Sequence, residues 1–122
     1  MKPTFGCPVK ATTKVMAGKW KVGILWHLSF GRKRFAEIRD LLAAVTEKVL
    51  TEQLRQLEKD GVVRRIVTHS VPPRVYYELT VAGDDLVPVM QAMCDWGSKY
   101  LGVIPTLPRS MPVSAQPSPG VG

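Results

Sequence analysis

The chain has no apolar run near the roughly 18 residues needed to cross a bilayer, and residues 1–13 lack the apolar stretch of a secretory leader. No membrane role is expected, and a cytoplasmic location is. Cysteine and histidine are scarce: Cys7, Cys94, His27 and His69 are the full set. They are too few and too scattered for the usual structural zinc spacings, so no metal and no cofactor are expected. Two thiols so far apart in a cytoplasmic chain are read as reduced rather than bridged. Paired carboxylates in a pocket and a phosphate-cradling glycine loop are both missing, and Cys7 with His27 or His69 has no spacing that supports a dyad. With 122 residues there is also little room for a deep substrate site, so an enzyme is not expected. Acidic residues are the minority, 10 against 17 basic ones, for a net charge of +7 and a pI near 9.7. Such a chain is drawn to polyanions, either nucleic acid or an anionic membrane face.

The acids are absent from one region altogether. Every charge before residue 37 is positive: Lys2, Lys10, Lys14, Lys19, Lys21, Arg32, Lys33 and Arg34. The acidic residues fall at 37–60 and 78–95. Taken singly, each lysine reads equally well as part of a solvated face; as a group they form an electrostatic footprint.

What is present is an ordinary globular composition, 45% hydrophobic and 22% charged, of a length that suits one core. A short helix is predicted over 9–16 with Pro8 at its first turn, where a missing N–H does no harm, and Gly18 ends it. Trp20, Ile24 and Leu28, with Val22, Leu25 and Trp26, predict a largely buried second helix. Phe35, Ile38, Leu41 and Leu42 are spaced for one face of a third. Thr46 is an N-cap with Glu47 beside the positive helix end. Leu50, Leu54 and Leu57 define the buried side of the fourth helix, opposite Lys48, Thr51, Glu52, Arg55 and Lys59.

After Gly61 the pattern alternates over 62–68 and again over 74–80, around Val71, Pro72 and Pro73, which predicts a two-stranded hairpin with a rigid tip. A last helix over 81–101 carries Leu86, Val89 or Met90, Met93, Trp96 and Tyr100 along one side, with Pro88 expected to kink it or break its first turn. Residues 103–122 hold five of the ten prolines and are read as a disordered tail, leaving 1–102 as the domain. The fold class is mainly α with a small antiparallel β-hairpin. Short helices, a tight turn into an amphipathic helix and a basic hairpin behind it are the order of a winged helix-turn-helix, in which one helix enters the major groove and a hairpin flanks the backbone.

The residues also resemble a known family, the HxlR-type transcriptional regulators, relatives of the MarR-type winged-helix proteins. The likeness rests on Cys7-Pro8, Gly18-Lys19-Trp20-Lys21, Arg34-Phe35 with Glu37 and Ile38, Leu50-Thr51 with Gln53-Leu54, and Leu57-Glu58 with Asp60-Gly61. It continues through Val71-Pro72-Pro73-Arg74-Val75, Tyr77, Leu79-Thr80, Gly83, Leu86, Pro88-Val89 and Trp96-Gly97. It implies a dimeric regulator, by default a repressor, whose first and last helices pack across a two-fold axis, and an inverted-repeat operator with half-sites about 34 Å apart.

The stripe of Met90, Met93, Trp96 and Tyr100 is larger than one small domain needs and reads either as such an interface or as core. The groove-facing set is Thr46, Glu47, Lys48, Thr51, Glu52 and Arg55. Arg55 suits a guanine, while Glu52 or Glu47 can accept from a cytosine amino group or orient a basic neighbour. Lys19, Lys21, Arg32, Lys33 and Arg34 suit phosphates. Arg65 and Arg74 on the wing, around Pro72 and Pro73, suit a backbone or minor-groove contact, or for Arg74 an acid within its own domain. Cys7 stands at a helix start among lysines, where positive potential favours an anion. Several members of the resembled family sense oxidants or electrophiles with the matching cysteine, so Cys7 is a candidate redox sensor, while Cys94 is read as packing. The competing reading is a winged-helix module that binds another protein, or nucleic acid without sequence specificity. A small-molecule effector is not legible, nor are the operator and the genes under control.

Overall fold

The computed structural model describes residues 6–104; of the predicted tail at 103–122, only Val103 and Ile104 lie within the described residues. Helix α1 (Pro8–Met16) has proline in its first turn and buries only Met16. Helix α2 (Lys21–Leu28) is apolar on nearly every side and buries Ile24, Leu25, Trp26 and Leu28, which makes it the centre of the core. Helix α3 (Phe35–Leu42) opens where the Arg34 backbone N–H donates to Glu37 Oε1 at 2.9 Å.

Ile38 is the buried residue of α3, with Phe35 and Leu42 half-buried beside it. Leu41, expected on the same face, is exposed. Around the helix, Phe35 and Leu42 fall on one flank of Ile38 and Leu41 on the other, so this eight-residue helix meets the core along the Phe35–Leu42 flank.

Helix α4 (Glu47–Lys59) is capped by Thr46, whose side chain accepts from the Val49 N–H at 3.2 Å. Leu50, Leu54 and Leu57 are buried as their spacing predicts. The turn between α3 and α4 places Ala43 at φ 57 and ψ −81, a region that L-residues rarely occupy. Gly61, at φ 78, reverses the chain after α4. Strands β1 (Val63–Val67) and β2 (Val75–Leu79) follow as an antiparallel pair, in register from Val63 opposite Leu79 to Val67 opposite Val75. At the tip the Thr68 N–H donates to the Arg74 carbonyl at 2.8 Å, and the Arg74 N–H donates to Thr68 Oγ1 at 2.9 Å.

Helix α5 (Val81–Leu101) begins at Thr80, whose hydroxyl donates to the Gly61 carbonyl at 2.6 Å and accepts from the Gly83 N–H at 3.2 Å. One side chain thus ties the end of α4 to the start of α5. The helix continues past Pro88 instead of breaking there. Pro88 and the residue four positions before it, Asp84, are both exposed, so the backbone carbonyl that proline leaves unpaired lies on the water side. All the buried residues of α5, Gly83, Leu86, Val87 and Met90, lie in its first ten positions. The second half runs beyond the core.

Candidate nucleic-acid interface

Helix α4 turns Leu50, Leu54 and Leu57 inward, which leaves Glu47, Lys48, Glu52 and Arg55 exposed and Thr51 half-buried on the outer side. Glu47, Lys48, Thr51, Glu52 and Arg55 line one shallow, open depression. Two of the six residues expected to face the groove already serve the helix itself: Thr46 is its cap, and the Thr51 hydroxyl donates to the Glu47 carbonyl at 2.8 Å. Glu47 is engaged from outside the helix, since Arg39 Nη1 lies 2.5 Å from its Oε1. That pair spans eight positions and a turn, so no local spacing points to it. Lys48, Glu52 and Arg55 have no ion pair among the described residues.

The basic triplet before α3 divides into three roles. Arg32 stacks its guanidinium over the Tyr76 ring at 4.3 Å. Lys33 joins the wing through its backbone, exchanging hydrogen bonds with Tyr77 at 3.0 and 2.8 Å and forming a bridge beside the hairpin. Arg34 supplies the residue before α3 and keeps its side chain exposed. All three are expected phosphate contacts from the sequence; Arg32 and Lys33 also fasten the wing. The tyrosine pair at 76 and 77 was the available signal.

On the wing, Arg64 pairs with Glu78 at 3.1 Å, while Arg65 and Arg74 are exposed with no ion pair among the described residues. Pro72 and Pro73 sit exposed at the tip. Lys19 lies over the Trp20 ring at 4.9 Å and is exposed. Lys21 needs correction: it is 7% exposed and does not belong with the surface cations. It stands at the first position of α2, and because that helix is enclosed on nearly every side its opening residue is covered as well. His27, on the last turn of α2, is held below its ordinary pKa of 6.5 by burial and then by the charge of Lys33.

The last helix also changes one assignment. Met90 is 4% exposed and belongs to the chain's own core, not to an interface. The side that faces out carries Val89, Met93, Trp96 and Tyr100, with the last three 49%, 58% and 62% exposed. The Trp96 and Tyr100 rings meet at 5.4 Å. Cys7 is exposed at the start of α1, where it makes no side-chain capping bond, and Cys94 is half-buried on α5. Among the described residues no group of histidine, cysteine and acidic side chains could hold a metal, and no helix is long and apolar enough to cross a membrane.

A helix pair joined by a tight turn, an outward-facing polar second helix and a hairpin fastened alongside define a winged helix-turn-helix protein. The family described as HxlR-like helix-turn-helix matches residues 15–105. The uncharacterized HTH-type transcriptional regulator YdeP of Bacillus subtilis (strain 168) is 52% identical over 95 residues, spanning 78% of this chain and 74% of that protein. Among solved structures, the redox regulator HypR in its reduced form superposes with a TM-score of 0.72 at 43% identity, covering 78% of this chain and 96% of HypR. The reduced form of the transcriptional regulator YodB from B. subtilis superposes with a TM-score of 0.73 at 32% identity, covering 79% of this chain and 95% of YodB. The chain belongs to the HxlR-like helix-turn-helix family of transcriptional regulators.

Proposed function

We propose that this regulator binds double-stranded DNA sequence-specifically as a homodimer, recognises an inverted repeat and represses by occlusion. The observation that carries the reading is the outer side of α4, where Lys48, Glu52 and Arg55 are held out by a buried leucine stripe and have no ion pair among the described residues. Charged groups left unpaired on a rigid helix suit hydrogen bonding to base edges. Arg32, Lys33, Arg34 and Lys19 suit the phosphates on either side of the groove, and Arg65 and Arg74 suit the backbone near the wing. Support for a dimer comes from Met93, Trp96 and Tyr100: an apolar stripe on a helix that has outrun its own core favours a second copy related by a two-fold axis.

Cys7 is proposed as a sensing thiol whose modification by an oxidant or electrophile shifts the dimer and so the spacing of the two reading helices. Its exposure at a helix start supports this, as does similarity to a protein described as a redox regulator in reduced and oxidised forms. The test is selection of bound duplexes from a random library, run with the native protein, with oxidised protein and with Cys7→Ser. An enriched inverted repeat is the expected result, with enrichment lost on oxidation of the native protein and kept in oxidised Cys7→Ser. No enrichment would turn the reading toward a module that binds protein, or nucleic acid without sequence specificity. Release of DNA by oxidised Cys7→Ser as readily as by oxidised native protein would remove the sensor.

A further inference from the structure

We infer that Arg39 is a positioning residue for base recognition, holding the Glu47 carboxylate at the head of α4 so that its second oxygen is presented to a cytosine amino group. The inference rests on the proposed reading of DNA by α4. It begins from a juxtaposition that the secondary structure does not require. Arg39 lies in the interior of α3, Glu47 is the first residue of α4, and the chain between them turns through Ala43 at φ 57. Across that turn Arg39 Nη1 reaches Glu47 Oε1 at 2.5 Å, while Arg39 Nε lies 3.9 Å from Asp40 Oδ1. The guanidinium is thus held between two carboxylates, one from its own helix and one from the next.

Stability does not account for the pair. The two side chains are 38% and 70% exposed, and ion pairs this open contribute little to folding. Electrostatics at the head of α4 give a better account. A carboxylate facing a polyanion is repelled by it, and the helix dipole offsets only part of one charge. The guanidinium supplies the rest, so Glu47 can approach the duplex as a locally compensated acceptor. One carboxylate oxygen is occupied by Arg39, and the other retains its lone pairs.

In the major groove a lone carboxylate acceptor matches the amino group of cytosine. Guanine offers two acceptors there, and adenine sets an acceptor beside its amino group. Glu52 is the internal contrast: it lies on the same face without an ion pair among the described residues, so its side chain must be ordered when the duplex binds, whereas that of Glu47 is ordered beforehand.

The experiment measures base preference for the full-length native protein and for Glu47→Gln, Arg39→Ala, Arg39→Lys and the double variant Arg39→Ala with Glu47→Gln. Each is titrated against the duplex selected by the native protein and against duplexes changed at one pair at a time. Glu47→Gln and Arg39→Ala should each flatten discrimination at the same C·G pair by about tenfold, with the double variant no flatter than either. Arg39→Lys should fall between, because an ammonium keeps the charge without the planar fork.

Thermal melting of each variant is recorded alongside; if Arg39→Ala melts early, the profile of Arg39→Lys carries the test. A uniform loss of affinity with the native preference intact would make Arg39 a backbone contact and overturn the inference while leaving the proposed function standing. A native protein with no sequence preference would overturn both.

Discussion

The outer side of α4 and the second half of α5 are both helical surfaces that the core does not use, yet their chemistry is opposite. On α4 the exposed residues include Glu47, Lys48, Glu52 and Arg55; on α5 they include Met93, Trp96 and Tyr100. The charged surface is well hydrated alone and exchanges water for a polyanion only when one is present. The apolar surface has no such resting state, because burying it is worth about 25 cal/mol for each square ångström removed from water. One is suited to reversible recognition and the other to a standing partner. The proposed dimer and the proposed reading of DNA follow from that difference.

The largest effect is expected where the two surfaces share an anchor. A Cβ at Gly83 would lie 2.2 Å from the Val62 carbonyl oxygen and 3.1 Å from the Leu79 side chain. Gly83→Ala must therefore push α5 off the α4–β1 junction, and should cost about 3 kcal/mol of stability in denaturant unfolding. Next comes the apolar surface alone. Trp96→Asp should weaken self-association by at least about thirtyfold, roughly 2 kcal/mol, in analytical ultracentrifugation, and leave the monomer folded. An unchanged association constant would mean the α5 stripe has no partner. On the charged surface, Arg55→Ala should relax preference at one base pair by about 1–3 kcal/mol without altering self-association; an equal loss on every duplex would make Arg55 a phosphate contact.

Two smaller changes probe the elements that hold α4 in place. Ala43→Gly removes the strain of a positive φ and should raise stability by about 0.5–1 kcal/mol, despite the added freedom of glycine in the unfolded chain. His27 lies at the end of α2 near Lys33, where the wing is bridged. Its pKa is lowered in the folded chain, so as pH drops below the ordinary value of 6.5 the unfolded chain binds more protons and stability falls. The loss ends once pH passes below the depressed folded value. His27→Asn should flatten this slope in melts between pH 5 and 8, and a slope identical to that of the native protein would assign it to other groups.

Much of the architecture was legible because periodicity reports it. Leucines at 50, 54 and 57 mark one side of a helix, and alternation after Gly61 marks a hairpin. Charge and spacing mislead where packing decides: Lys21 carries the same charge as the surface lysines, yet it opens a helix that is apolar nearly all round. Leu41 satisfied helical spacing but fell on the flank of α3 away from the core. Val89 and Met90 are adjacent, and a stripe at helical spacing fits either. Packing chose Met90 for the core, continuing Gly83, Leu86 and Val87, and left Val89 outside.

By itself the sequence determined the order of elements, the cap at Thr46, the buried side of α4 and the family, because each of these depends on residue type and on spacing along a single element. Only the tertiary structure decided that Lys33 bonds to Tyr77, that Arg32 stacks on Tyr76 and that Arg39 reaches Glu47. Those contacts join residues whose separation along the chain carries no signal, and they exist only once α3, α4 and the wing have been brought together around the core.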